Sequence, residues 1–151
     1  MPVQKFSISL YPGTAAEVEA RGDERSTQVN RMLLRYAGLM HRERAELRKL
    51  LSDNEIACIL DACNGTAFME DVSIRLVDAN VTDAIEMDGI DRKWQINGDM
   101  LIAKLEVLST VARYALVDAV QAWWNRVGGG EQPPYAEALE WPSTKANSLI
   151  F

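Results

Sequence analysis

Residues 5–10 read Lys5-Phe6-Ser7-Ile8-Ser9-Leu10, an unbroken alternation of polar and apolar side chains. A period of two places Phe6, Ile8 and Leu10 on one face of an extended segment and Lys5, Ser7 and Ser9 on the other. Pro12 and Gly13 end the run. Downstream, the apolar residues recur at helical spacing. The chain is therefore predicted to be mainly α, with a single β-strand at its N-terminal end.

A lone strand leaves its backbone donors and acceptors in need of partners, and an open edge invites another strand. The simplest partner is the same segment of a second copy, paired antiparallel across a twofold axis. Phe6, Ile8 and Leu10 then pack on the helices of both subunits, while Lys5, Ser7 and Ser9 look outward from a two-stranded ribbon. Such a ribbon fits the major groove of B-DNA. A lysine there can donate to guanine O6 or N7, and a serine hydroxyl can donate or accept. Lys5, Ser7 and Ser9 are accordingly the candidate base contacts.

After the strand, Thr14 is expected to cap a short helix through Ala15, Ala16, Val18 and Ala20 that stops near Gly22. Ser26 is expected to cap a longer helix, with Val29, Met32, Leu33, Tyr36, Ala37 and Met40 along one face. Val29, Met32, Leu33 and Tyr36 join Phe6, Ile8 and Leu10 as the candidate dimer core. The start of that helix offers free backbone N–H groups and the positive end of the helix dipole. Arg25, Ser26, Thr27 and Gln28 gather there and are the candidate phosphate contacts. Arg31 and Arg35 read as a solvated face.

The segment KFSISL, the short helix and the run RSTQVNRMLLRYAGLM together resemble the ribbon-helix-helix family of bacterial and phage repressors, antitoxins and plasmid proteins. The resemblance spans residues 1–50. It implies a homodimer that reads the major groove of double-stranded DNA through Lys5, Ser7 and Ser9 and clamps phosphate at Ser26 and Thr27. The implied function is sequence-specific transcriptional regulation, as a repressor.

The charge distribution agrees with two jobs in one chain. The 151 residues carry a net charge of −6, which alone argues against nucleic acid. Residues 1–51, however, hold nine Lys/Arg against six Asp/Glu, a net of +3, so the whole acidic excess lies beyond them. Residues 51–128 are expected to form an acidic α-helical domain, and 129–151 a Pro- and aromatic-containing tail.

Within the acidic domain, one helix is predicted from Ser52 or Asp53, with Glu55 in its first turn, and Gly65 ends it. Helices are expected over 69–79 and 81–87, then a polar loop over 88–97 holding Trp94. Asp99 is expected to cap the next helix and Ser109 to begin the last, which Gly128, Gly129 and Gly130 terminate as a hinge. Trp124 shares the Val117/Val120 face and is expected in the core, with Trp123 partly exposed. Tyr135, Trp141, Leu149, Ile150 and Phe151 suggest a tail that docks on its own domain. The alternative is a protein-interaction module, such as an antitoxin, that grips a partner protein through the helical domain and tail.

Other chemistry finds little support. His41 is the lone histidine and sits in a charged helical run, so a Ser-His-Asp or Cys-His arrangement would have to be built on it. Cys58 and Cys63 are too few for structural zinc and read as small core residues. The Asp88-Gly89-Ile90-Asp91 and Asn97-Gly98-Asp99 runs lack the ligand alternation of a calcium loop. No enzyme activity, cofactor or metal is expected. No apolar run reaches the length of a membrane span or a secretory leader, so a cytoplasmic homodimer, open to higher assembly, is the expectation.

Overall fold

The computed structural model describes residues 7–22, 24–66, 73–127 and 135–139. It is mainly helical: α1 (Pro12–Ala20), α2 (Arg25–Leu50), α3 (Asp53–Ala62), α4 (Ser73–Asp83) running into a π-turn (Ala84–Asp88), α5 (Ile90–Lys93), α6 (Gly98–Glu106), α7 (Thr110–Val127) and a 3₁₀ turn (Tyr135–Leu139). No strand occurs among the described residues. Two compact units divide the chain, Met1–Tyr36 and Ala37–Phe151.

In the first unit, α1 begins at Pro12 rather than behind Thr14. Proline is pre-set for the first helical position, where its missing N–H is no loss, and the Tyr11 carbonyl accepts from Ala15 N–H at 2.8 Å. Gly22, at φ +73°, provides the predicted stop. The second helix also starts two residues earlier than a cap at Ser26 implies, at Arg25. Gln28 N–H closes its first turn onto the Glu24 carbonyl at 3.0 Å.

The second unit holds the main core. Met40, Leu47 and Leu51 from α2 and its end join Ile56, Ile59 and Leu60 of α3, Val77 and Val81 of α4, Leu101 and Leu105 of α6, and Leu116, Val120 and Trp123 of α7. The caps that organise it are partly those expected. Ser52 and Glu55 form a reciprocal capping box at α3, each side chain bonded to the other's backbone N–H. Ser109 Oγ accepts from Ala112 N–H at 3.2 Å where α7 starts. At α6, however, the cap is Asn97, whose Oδ1 accepts from Met100 N–H at 3.1 Å, and not Asp99.

Three expectations are corrected here. Residues 69–72 lie outside the described residues; from Ser73 the helix does not break at Asn80 but runs to Asp83 and on through the π-turn to Asp88, the Asn80 side chain donating to Thr66 Oγ1 at 2.8 Å rather than to its own backbone. The stretch 88–97 is not wholly a loop. Gly89, at φ +63°, ends the π-turn and Ile90–Lys93 forms one more helical turn. Trp123, not Trp124, is the buried tryptophan, at 2 % exposure. It stands on the stripe of Leu116, Ala119 and Val120, spaced three, four and seven residues apart. Trp124 is half-buried and donates its indole N–H to the Leu60 carbonyl at 3.1 Å.

Part of the tail returns to this core. The Tyr135 ring meets Trp94 edge-on at 5.2 Å and Trp123 at 5.8 Å, and Ala138 and Leu139 are buried. Docking on its own domain thus holds for Tyr135–Leu139. Trp141, Leu149, Ile150, Phe151 and Gly128 to Gly130 lie outside the described residues.

Buried ion pairs fix how the helices meet. Arg44 of α2 bonds Asp118 of α7, and Arg113 of α7 bonds Asp78 of α4 and, at 2.9 Å, the Glu106 carbonyl. Both arginines are about 4 % exposed. Removing one partner of a buried pair strands the other charge, which typically costs about 3–5 kcal/mol. Asp118 is itself one-third exposed, so the lower end applies. We expect Asp118→Ala to lower unfolding free energy by about 3 kcal/mol, read as a reduced urea midpoint at unchanged slope, and Asp118→Asn to cost less.

Candidate nucleic-acid interface

The first unit carries the residues that the sequence points to. Lys5 and Phe6 lie outside the described residues. Ser7 and Ser9 are exposed. Residues 7–10 are neither helical nor part of a strand, and no backbone hydrogen bond among the described residues engages them. Strand structure is defined by a ladder, and a ladder needs a second strand.

The candidate dimer core divides by exposure. Ile8 is 61 % exposed, Leu33 58 % and Tyr36 45 %, while Leu10, Val29 and Met32 are half-buried. Spacing gives these numbers meaning. Val29, Leu33, Tyr36, Met40, Arg44, Leu47 and Leu51 succeed one another at three- and four-residue steps, so they form one stripe along α2. From Met40 onward that stripe is buried; at Leu33 and Tyr36 it is open. Leu34 and Tyr11, which sequence reasoning did not single out, are also exposed apolar residues of this unit.

The candidate phosphate contacts are less uniform. Arg25 is exposed and forms a 2.6 Å ion pair with Glu19 of α1. Ser26 is exposed, and its hydroxyl donates to Glu24 Oε1 at 3.3 Å. Thr27 is half-buried. Gln28 is buried, which takes its side chain off any surface that a phosphate could reach. Arg31 and Arg35 are exposed, in keeping with a solvated face. The pairing of Arg25 with Glu19 was missed because the two are six residues apart and only the bend at Gly22 brings them together.

Elsewhere the chemistry is structural. Among the described residues no group of three or more His, Cys, Asp or Glu side chains could hold a metal. No helix among them is long and apolar enough to cross a membrane. A shallow depression of about 240 Å³ lies between Ser52, Glu55, Gln95, Asn97, Met100 and Lys104. Its charges are already satisfied: Lys104 Nζ donates to both Glu55 oxygens, at 2.7 and 3.0 Å, and to the Leu50 carbonyl at 3.1 Å. Burial by itself would raise the Glu55 carboxyl. The Lys104 bond and charge, with the Ser52 N–H, outweigh burial and hold it below the ordinary carboxylate range. Asp61 plays a similar part for Lys93 at 2.6 Å and the Trp94 indole at 3.0 Å. Comparison with family models, curated proteins and solved structures returns no match for this chain.

Cys58 and Cys63 are free thiols, both fully buried, and burial pushes both up to about 12, with the Asp91 and Asp61 charges adding to the effect at Cys58. A buried thiol raised in this way carries little thiolate at pH 8 and is a poor nucleophile. We expect an aromatic disulfide reagent to leave both thiols untouched in the native protein at pH 8 and to titrate two after unfolding in urea. The depressed Glu55 carboxyl contributes stability above its ordinary pKa of 4.5, and this is lost as pH falls below it. Lys104→Met is therefore expected to destabilise more at pH 7 than at pH 3 in parallel urea titrations.

Proposed function

We propose that this chain is a dimeric, sequence-specific DNA-binding transcriptional regulator, a repressor, working through an antiparallel ribbon of residues 5–10 in the major groove. One observation carries the reading: the apolar stripe of α2, buried from Met40 onward, lies open at Leu33 and Tyr36 in the same unit that exposes Ile8. Fully burying a side chain of this size is worth about 1.5–3 kcal/mol, and a second copy that covers the exposed half of three of them gains roughly half of that from each. The exposed Ser7 and Ser9 hydroxyls and the +3 charge of residues 1–51 then face one groove. The acidic remainder repels DNA elsewhere and restrains non-specific binding. Two unpaired thiols fit a reducing cytoplasm. The antitoxin-like alternative loses ground at one point, since Tyr135 is held by Trp94 and Trp123 of its own unit.

Sedimentation should give a dimer at micromolar concentration, and Leu33→Asp with Tyr36→Asp should give a folded monomer. Fluorescence anisotropy with duplex DNA from the gene's own upstream region should show binding that falls steeply with salt, with log K against log[salt] losing about 0.9 per phosphate contacted. Ser7→Ala should reduce discrimination between that duplex and a scrambled one. A monomeric wild type that ignores every duplex at 50 mM salt would overturn the reading.

A further inference from the structure

We propose that Glu19 is a built-in brake on the Arg25 phosphate contact, holding down affinity for DNA backbone so that discrimination falls to the ribbon. The inference rests on the DNA-binding reading above. Its physical basis is the ion pair between the last turn of α1 and the first residue of α2, Arg25 Nη2 to Glu19 Oε1 at 2.6 Å. A carboxylate and a phosphate present the guanidinium with the same ligand, anionic oxygens within reach of its N–H fork. While Glu19 holds Arg25, the pair is neutral and its carboxylate oxygens repel an approaching phosphate.

The bridge is able to open. Both side chains are more than half exposed, Arg25 at 65 % and Glu19 at 61 %, so neither is locked by packing. The neighbouring carboxylates are engaged elsewhere: Glu24 accepts from the Ser26 hydroxyl at 3.3 Å. Glu17 is taken by Arg21, one turn on in the same helix, at 3.1 Å. Glu19 instead reaches across the bend that Gly22 makes at φ +73° and meets the longer helix. An exposed pair of this kind is worth roughly two- to five-fold in an equilibrium constant, a size that tunes affinity without abolishing it.

The test is a double-mutant cycle in the full-length protein, read by fluorescence anisotropy with a random-sequence 20-base-pair duplex at 50 mM salt. Glu19→Gln should tighten binding roughly two- to five-fold, and the gain should vanish in the Arg25→Gln background. It should also shrink at 200 mM salt, where exposed charges are screened. Glu19→Asp keeps the charge but shortens the reach, and should recover part of the gain. Glu17→Gln changes net charge equally and serves as the control, its effect being independent of Arg25. Circular dichroism checks that helix content is unchanged in each variant. Equal tightening by Glu19→Gln with and without Arg25, or no tightening, would overturn the brake while leaving the DNA-binding reading intact. Failure of the wild type to bind any duplex would sink both.

Discussion

A helix of 26 residues with apolar side chains at three- and four-residue steps must find cover for its whole stripe, and α2 finds it for only part. From Met40 to Leu51 the stripe runs into the core of the second unit, where Leu47 and Leu51 are 2 % exposed. From Val29 to Tyr36 it belongs to a small N-terminal unit whose other helix, α1, buries only Val18. Nine residues of helix cannot cover both that stripe and the apolar side chains at Ile8 and Tyr11. The open half of α2 is what gives the functional proposal its force.

The second unit solves its own packing differently. Its apolar core is crossed by charged joints, Arg44 to Asp118, Arg113 to Asp78 and Lys104 to Glu55, each tying helices distant in sequence. Such joints contribute less to net stability than apolar packing of the same volume, because desolvating the charges offsets their attraction. They do penalise any register in which a buried arginine loses its carboxylate. Asp78 and Asp118 are thus turned toward buried arginines rather than left as solvated charges. The π-turn and the Gly89 bend deliver Trp94 to Asp61 and to Tyr135, which closes the aromatic end of the core.

Much of the helical organisation was legible beforehand. The capping box at Ser52, the cap at Ser109 and the glycine stop at Gly22 are local rules written in a few neighbouring residues, and each appears where its chemistry places it. Starts moved by three residues at Pro12 and two at Arg25, where proline's preference and a backbone acceptor at Glu24 outweighed the side-chain cap. The burial of Trp123 over Trp124 was not legible. Both lie on apolar stripes of α7, and only the position of the neighbouring helices selects one.

For the candidate interface the division is similar. The spacing along α2 defines which side chains share a face, because the helical period is set by backbone geometry alone; the alternation over residues 5–10 carries the corresponding expectation for an extended segment. What the tertiary structure decided is which of those side chains are free: Gln28 is turned inward, Ser7 and Ser9 are open, and Arg25 is held by Glu19. The reason is that exposure and ion pairing depend on contacts between segments far apart in the chain, across the bend at Gly22 or between packed helices. No local period encodes those distances.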